Sequence, residues 1–201
     1  MFQYVEQHYE DADFSYKDWK EAELTRCTFV RCRFIGATLA EATTTACRFV
    51  ECDFHGAFLN GSIHTESAFE NCSLFEASLF VAKFSNCKMT GSDFSKANMD
   101  GMTVHEGDWS YTNLKMARLA KQDLRGVRFV EADFTDSDLE KADLRKAVLS
   151  RAQLAGAKLK GADLRGAELD GIDFRPVDIR GTVIEAMQAV AFARSYGAKV
   201  L

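Results

Sequence analysis

Large apolar residues recur at every fifth position of this chain, without a change of phase, from Tyr4 to Ile184. ADLRG (162–166), AELDG (167–171), ADFTD (132–136), SDLEK (137–141) and ADLRK (142–146) are variations on one unit. The large residue falls on numbers ending in 4 or 9, as in Phe14, Trp19, Leu24, Phe29, Phe34 and Leu39, and again in Leu144, Leu149, Leu154 and Leu159. Two positions earlier sits a small residue, usually Ala, Ser or Cys. A period of 5 matches neither the ~3.6 of a helix nor the ~2 of a flat strand, so no single regular element keeps these residues on one face. The chain must turn a corner in each repeat. Its 201 residues, 47% of them hydrophobic, suffice for one domain of ordinary size. With one proline, Pro176, and no Gly/Ser-rich stretch, the sequence offers no linker, so one continuous body is expected.

The pattern A-[DN]-L-x-x, with Phe alternating for Leu, resembles that of the pentapeptide-repeat family, and it runs through most of the chain. The resemblance implies an all-β solenoid, a right-handed quadrilateral parallel β-helix in which four pentapeptides make one square coil. The central Leu or Phe then points inward and the small residue packs into the corner. About eight coils between Phe14 and Ile179 would give a rod of roughly 40 Å at the strand spacing. The ends of such a stack need caps. Residues 1–12 read as an N-terminal cap, 13–181 as the repeat and 182–201 as a C-terminal helical cap and dimerisation segment. In that last stretch Ile184, Met187, Val190 and Ala191 have helical spacing, Arg194 falls in the last turn, and Gly197 is placed to end the helix.

QAVAFARSYG also resembles the C-terminal end of the mycobacterial fluoroquinolone-resistance type, one of the gyrase-protecting pentapeptide-repeat proteins. That likeness implies a homodimer joined end to end through Phe174, Ile179, Ile184, Met187, Val190 and Phe192, a rod of roughly 80 Å. The Qnr-type quinolone-resistance members carry projecting loops. The unbroken frame here leaves no room for a long insertion, which leans toward the mycobacterial and albicidin-immunity types.

All six cysteines, Cys27, Cys32, Cys47, Cys52, Cys72 and Cys87, occupy the small-residue slot and read as buried thiols. Their C-x4-C spacing follows from the period and argues for no metal site. The four histidines are scattered, and no nucleophile elbow, P-loop or metalloprotease motif is present. Asp133, Asp138, Asp143 and Asp163 all precede the central apolar residue, a preference of the repeat before it is chemistry. Neither an enzyme nor a cofactor is expected. His64, in NGSIHTE, is the exception in the inward column; with Thr44 one coil below and Phe84 one coil above, it reads as a core residue satisfied by an internal hydrogen bond. Residues 101–116 depart from consensus, with Met102 and Gly107 in small-residue slots and Trp109 inward, and a bulge or kink is expected there.

Charge divides the chain unevenly. Residues 1–120 hold 17 acidic and 11 basic residues, and 121–201 hold 13 and 14. Between Arg48 and Lys83 there is no Lys or Arg. The net charge of −5 is far below the ~24 phosphates of duplex of equal length. Gyrase-protecting members of the family act as mimics of duplex DNA, so the resemblance implies that this chain binds DNA gyrase, a type II topoisomerase, and counters a poison such as albicidin or a quinolone. Its gyrase-facing acidic patch would comprise Glu51, Asp53, Glu66, Glu70, Glu76, Asp93, Asp100, Glu106 and Asp108. The alternative is a non-enzymatic scaffold with no topoisomerase partner. An acidic N-terminus and the absence of any span-length apolar run lead to the expectation of a cytoplasmic protein that binds neither membrane nor nucleic acid directly.

Overall fold

Backbone pairing in this chain follows a step of 20 residues, which brings every fourth pentapeptide into register. The computed structural model describes residues 2–200. Strands β1 (Gln3–Val5), β3 (Glu23–Thr25), β5 (Thr43–Thr45) and β7 (Ile63–Thr65) stack in one column; β2 (His8–Glu10), β4 (Thr28–Val30), β6 (Arg48–Val50) and β8 (Ala68–Glu70) stack in the next. Strands β9 (Lys83–Lys88) and β10 (Thr103–Asp108) run through the corner that separates the two columns below them. All these pairs are parallel. Two further faces are held by isolated bridges at the same step, such as Asp13↔Arg33 and Asp18↔Thr38. The result is the parallel β-solenoid that the family resemblance implied, with a corner in each repeat as the period requires. We number its faces one to four by the bridge positions 3, 8, 13 and 18 of the first 20 residues.

Residues 3–10, set apart in the sequence as part of a cap, belong to the solenoid itself: Tyr4 pairs with Leu24 and Tyr9 with Phe29. The small-residue slots there hold Phe2 and Gln7, which hides the consensus, but the inward slots keep their aromatic residues. At the other end the ladder reaches Val183, paired with Asp163.

The inward residues form stacked columns. Phe29, Phe49 and Phe69 lie face to face at 4.9 and 4.6 Å, and Phe34 and Phe54 at 4.8 Å. These separations equal the spacing of the coils, so like rings on successive rungs stack without strain. Between faces, residues ending in 1 or 6 turn the corner in the left-handed region, as at Glu51 (φ 54°) and Glu131 (φ 56°). The Asp or Asn before the central residue locks each turn: Asp53 Oδ1 accepts the His55 amide at 2.9 Å, and Asp133, Asp138, Asp143 and Asp163 make the same bond two residues on. That is the physical origin of the Asp preference in the repeat.

The C-terminal cap is a 3-10 turn, Ala186–Gln188, running into helix α1 (Ala189–Ser195), with Arg194 in its last turn and Gly197 at φ +85° beyond it. Val183 N–H bonds Ala162 O at 2.8 Å, and had the solenoid continued, residue 188 would have bonded Ala167 in the same way. Instead the buried Gln188 side chain takes over: Nε2 donates to Ala167 O at 2.8 Å and to Leu164 O, while Oε1 accepts the Glu185 amide. Carbonyls of the last coil are thereby satisfied without another coil. Phe192 stacks on Phe174 at 4.0 Å and seats the helix.

Candidate protein-interaction surface

The ladder is interrupted once on each of two adjacent faces, at the same level of the rod. On face four the bridges run to Asn98 and resume at Arg118, and on face one they run to Thr103 and resume at Asp123. Face two continues through Lys88, Asp108 and Arg128, and face three through Asp93, Asn113 and Asp133. Among the described residues, no backbone bond joins Met99, Gly101, Val104 or Glu106 to the coil above. Open grooves mark the interruption: one of about 390 Å³ beside Val104, Glu106, Asp123 and Arg125, and one of about 410 Å³ beside Asp100, Met116, Arg118 and Gln122. Beneath them a void too narrow for water lies among Met99, Met102, Trp109 and Leu119.

The cause is steric. The corner between faces four and one carries the small-residue column Ala22, Ala42, Ser62, Ala82, Met102, Gln122, Ala142 and Ala162. Two oversized side chains thus sit one above the other, and the coils part where they meet. Trp109, fully buried, enlarges the same coil, and its Nε1 has no partner among the described residues. Gly107 is the compensation. With φ +108° its backbone passes so close to the coil below that a Cβ would lie 2.3 Å from Cys87 O. The departure expected over 101–116 is therefore an opened ladder within an unchanged 20-residue frame, with no inserted loop. Sequence reasoning noted Met102 but not Gln122, which the 20-residue column identifies.

The nine acidic residues singled out in the sequence do not converge on one face. Asp53 and Asp93 lie on face three, Asp108 on face two and Asp100 on face four, while Glu66 and Glu106 share one corner and Glu51 and Glu76 take two others. Glu70, on face two, is neutralised by Lys88 at 2.5 Å and Arg48 at 3.2 Å, which hold its carboxyl below the usual range. Glu76 pairs with Lys96 at 3.4 Å. Asp53, Asp93 and Asp108 each commit one oxygen to their own turn. Glu51, Glu66, Asp100 and Glu106 are exposed and make no ion pair among the described residues. In the second half, Asp143 and Asp163 alternate with Arg125, Arg145 and Arg165 up face one, so charge there is largely cancelled.

Of the six residues assigned to a dimer interface, Phe174 requires correction. It is 0% exposed, and its ring is covered by Phe192 of the same chain, so it has no surface to give a second subunit. Ile179, Ile184 and Phe192 also pack partly against the core. The apolar side chains left open at this end are Met187, 81% exposed, with Val183, Tyr196 and Val200.

His64 is 1% exposed. Its Nδ1 lies 2.8 Å from Thr44 Oγ1 and its Nε2 2.8 Å from Ser62 Oγ, and the ring stacks on Phe84 at 4.7 Å. Ser62 spends its own proton on Leu59 O, so it accepts from Nε2–H. Burial lowers the imidazole pKa to about 3. The residue is a neutral, satisfied part of the core. All six cysteines are buried free thiols, and burial pushes Cys47 and Cys87 up to about 11.

The family model for pentapeptide repeats (8 copies) matches residues 27–63, 52–91, 137–175 and 147–183, and that for a pentapeptide repeat region matches 77–154. The chain belongs to the pentapeptide-repeat family. Among solved pentapeptide-repeat structures, it is similar to the plasmid-mediated fluoroquinolone resistance protein QnrB1. A trypsin-treated form matches with 22% identity and a TM-score of 0.87 over 99% of each chain. The full-length form matches with 22% identity and a TM-score of 0.75, over 98% of this chain and 100% of QnrB1. HetL, a pentapeptide-repeat protein involved in heterocyst differentiation regulation in the cyanobacterium Nostoc, matches with 25% identity and a TM-score of 0.57, over 91% of this chain and 89% of its own. No curated protein matches by sequence. Among the described residues, no helix is long and apolar enough to cross a membrane.

Proposed function

We propose that this rod binds a type II topoisomerase, DNA gyrase, at its DNA-binding surface as a duplex mimic, and so protects the enzyme from a poison such as a quinolone or albicidin. The observation that carries the reading is the end-to-end likeness to QnrB1, over 99% of both chains. The spread of Glu51, Glu66, Asp100 and Glu106 around the rod is compatible with it, because a duplex also presents charge on every side. With Glu70 and Glu76 already in ion pairs and the net charge only −5, binding should weaken with salt less steeply than duplex binding does. A homodimer through the C-terminal end is part of the proposal, with Met187, Val183 and Tyr196 as the contact in place of Phe174.

Purified protein added to a gyrase supercoiling assay, with and without ciprofloxacin or albicidin, tests this directly. Relief of the poison, or inhibition of supercoiling by the protein alone, is expected; neither effect at any ratio of rod to enzyme would sink it. The variant Glu51→Gln, Asp53→Asn, Glu66→Gln keeps the turn at residue 53, since Asn accepts the same bond. It should bind gyrase several-fold more weakly at unchanged Tm. The second reading, a non-enzymatic scaffold, draws on the ion pairing of Glu70 and Glu76 and on the likeness to HetL, which is involved in the regulation of heterocyst differentiation.

A further inference from the structure

We propose that the free edge of β10 is a docking site for an extended peptide segment of a partner protein, which joins the solenoid as an added strand. The proposal does not depend on the topoisomerase reading. Strand β10 (Thr103–Asp108) pairs with β9 along one edge only. Its residues alternate: Thr103 donates its amide to Ala82 O below, whereas the amides of Val104 and Glu106 point the other way and meet no acceptor among the described residues. In the intact coils, the corresponding amides bond the coil above, as Glu66 does to Ser85 O at 2.9 Å. Above β10 the coil has withdrawn: the bridges of face one stop at Thr103 and resume at Asp123, where the Arg125 amide makes the same turn bond to Asp123 Oδ1 as Arg145 and Arg165 make to theirs in the coils above. An interior rung of the rod therefore presents a row of unpaired donors and acceptors with the spacing of a strand edge.

The chemistry of the groove names the class of occupant. Its volume, about 390 Å³, suits roughly three residues of extended chain. Val104 forms the apolar floor, Glu106 projects at the β10 end, and Asp123, Arg125, Arg145 and Lys146 line the upper wall, so the acidic side chain of an occupant must sit toward Lys146 and away from Glu106. Arg125 and Arg145 already face Asp123, Asp143 and Asp163, whereas Lys146 has no ion pair among the described residues. A segment with an acidic side chain toward Lys146 and an apolar one toward Val104 meets both. The exposed Ile63 lies on face one below β10, whereas Phe58, Phe80 and Val81 lie on face four and at its corner with face one, away from the groove.

The probe is an acetylated, amidated peptide of alternating valine and aspartate, and the readout is hydrogen exchange of the Val104 and Glu106 amides in the full chain. Millimolar peptide should slow both at least tenfold. The same peptide N-methylated at alternate amides, or carrying lysine for aspartate, should not. Lys146→Glu should weaken binding at least threefold. Met102→Ala with Gln122→Ala restores the small-residue column and should close the ladder, protecting both amides without peptide and abolishing binding. Unslowed exchange at Val104 and Glu106, or equal slowing by the N-methylated peptide, overturns the proposal. Protection that rises with protein concentration alone would assign the edge to a second copy of this chain, and overturns it too.

Discussion

Lowering the pH from 7 to 5 should destabilise the rod through one residue, His64. Burial holds its imidazole at about 3 in the folded chain, against ~6.5 once unfolded. Because the folded value is depressed, the unfolded chain takes up the proton first; the contribution is fully present above ~6.5 and is lost as pH falls toward 3. At pH 5 the unfolded state is favoured by about 2 kcal/mol more than at pH 7. For a chain of this size, that corresponds to roughly 4–8 °C in Tm. His64→Leu supplies the commonest residue of the inward slots. It strands no partner, since Thr44 still reaches Ser67 Oγ at 2.9 Å and Ser62 still reaches Leu59 O at 2.7 Å. Thermal unfolding of both proteins at half-unit steps from pH 7.5 to 4.5 isolates the term, because the carboxylates are common to the two. The variant should lose less stability by about 2 kcal/mol at pH 5. Parallel profiles would refute the reasoning, and would mean that the buried ring takes up a proton through the Thr44 and Ser67 hydroxyls at little cost.

Gly107→Ala should cost about 1–3 kcal/mol or more, since the added methyl meets backbone rather than a side chain that can move; chemical denaturation measures it, and a change within 0.5 kcal/mol would show that β10 shifts freely. Gln188→Met keeps the volume but removes the bonds to Leu164 O and Ala167 O. It should raise amide exchange through α1 at least tenfold while leaving the first coils unchanged, an outcome read by mass spectrometry of exchanged peptides.

The solenoid was legible because its signal is repeated along nearly the whole chain: the inward slots from Phe14 to Phe174 obey one rule, and the exceptions, Thr44 and His64, satisfy each other. The helix end was legible from Arg194 and Gly197. Other features depend on position modulo 20 rather than modulo 5. Reading Met102 and Gln122 as neighbours, or seeing that Glu51, Asp100 and Asp108 point in different directions, requires the coil length as well as the repeat length. Phe174 was misassigned because a likeness at the chain end outweighed its own slot, which is inward. The closing role of Gln188 left no local trace: its bond to the Glu185 amide is local, but the carbonyls it satisfies on the last coil are 21 and 24 residues away.

The corner left-handed residues and the stacked rings make most of this rod uniform, but at one level only two of its four walls are continuous. A square tube slit across two adjoining walls is weakened throughout, and it bends most easily toward or away from the slit, hinging on the two walls left uncut. The uncut corner joins faces two and three, so flexure there opens or shuts the slit and changes the angle between two stiff halves of comparable length. The packing of two side chains, Met102 and Gln122, thus gives the whole rod a preferred direction of bending, and with it a means of matching the curvature of a surface that is not straight.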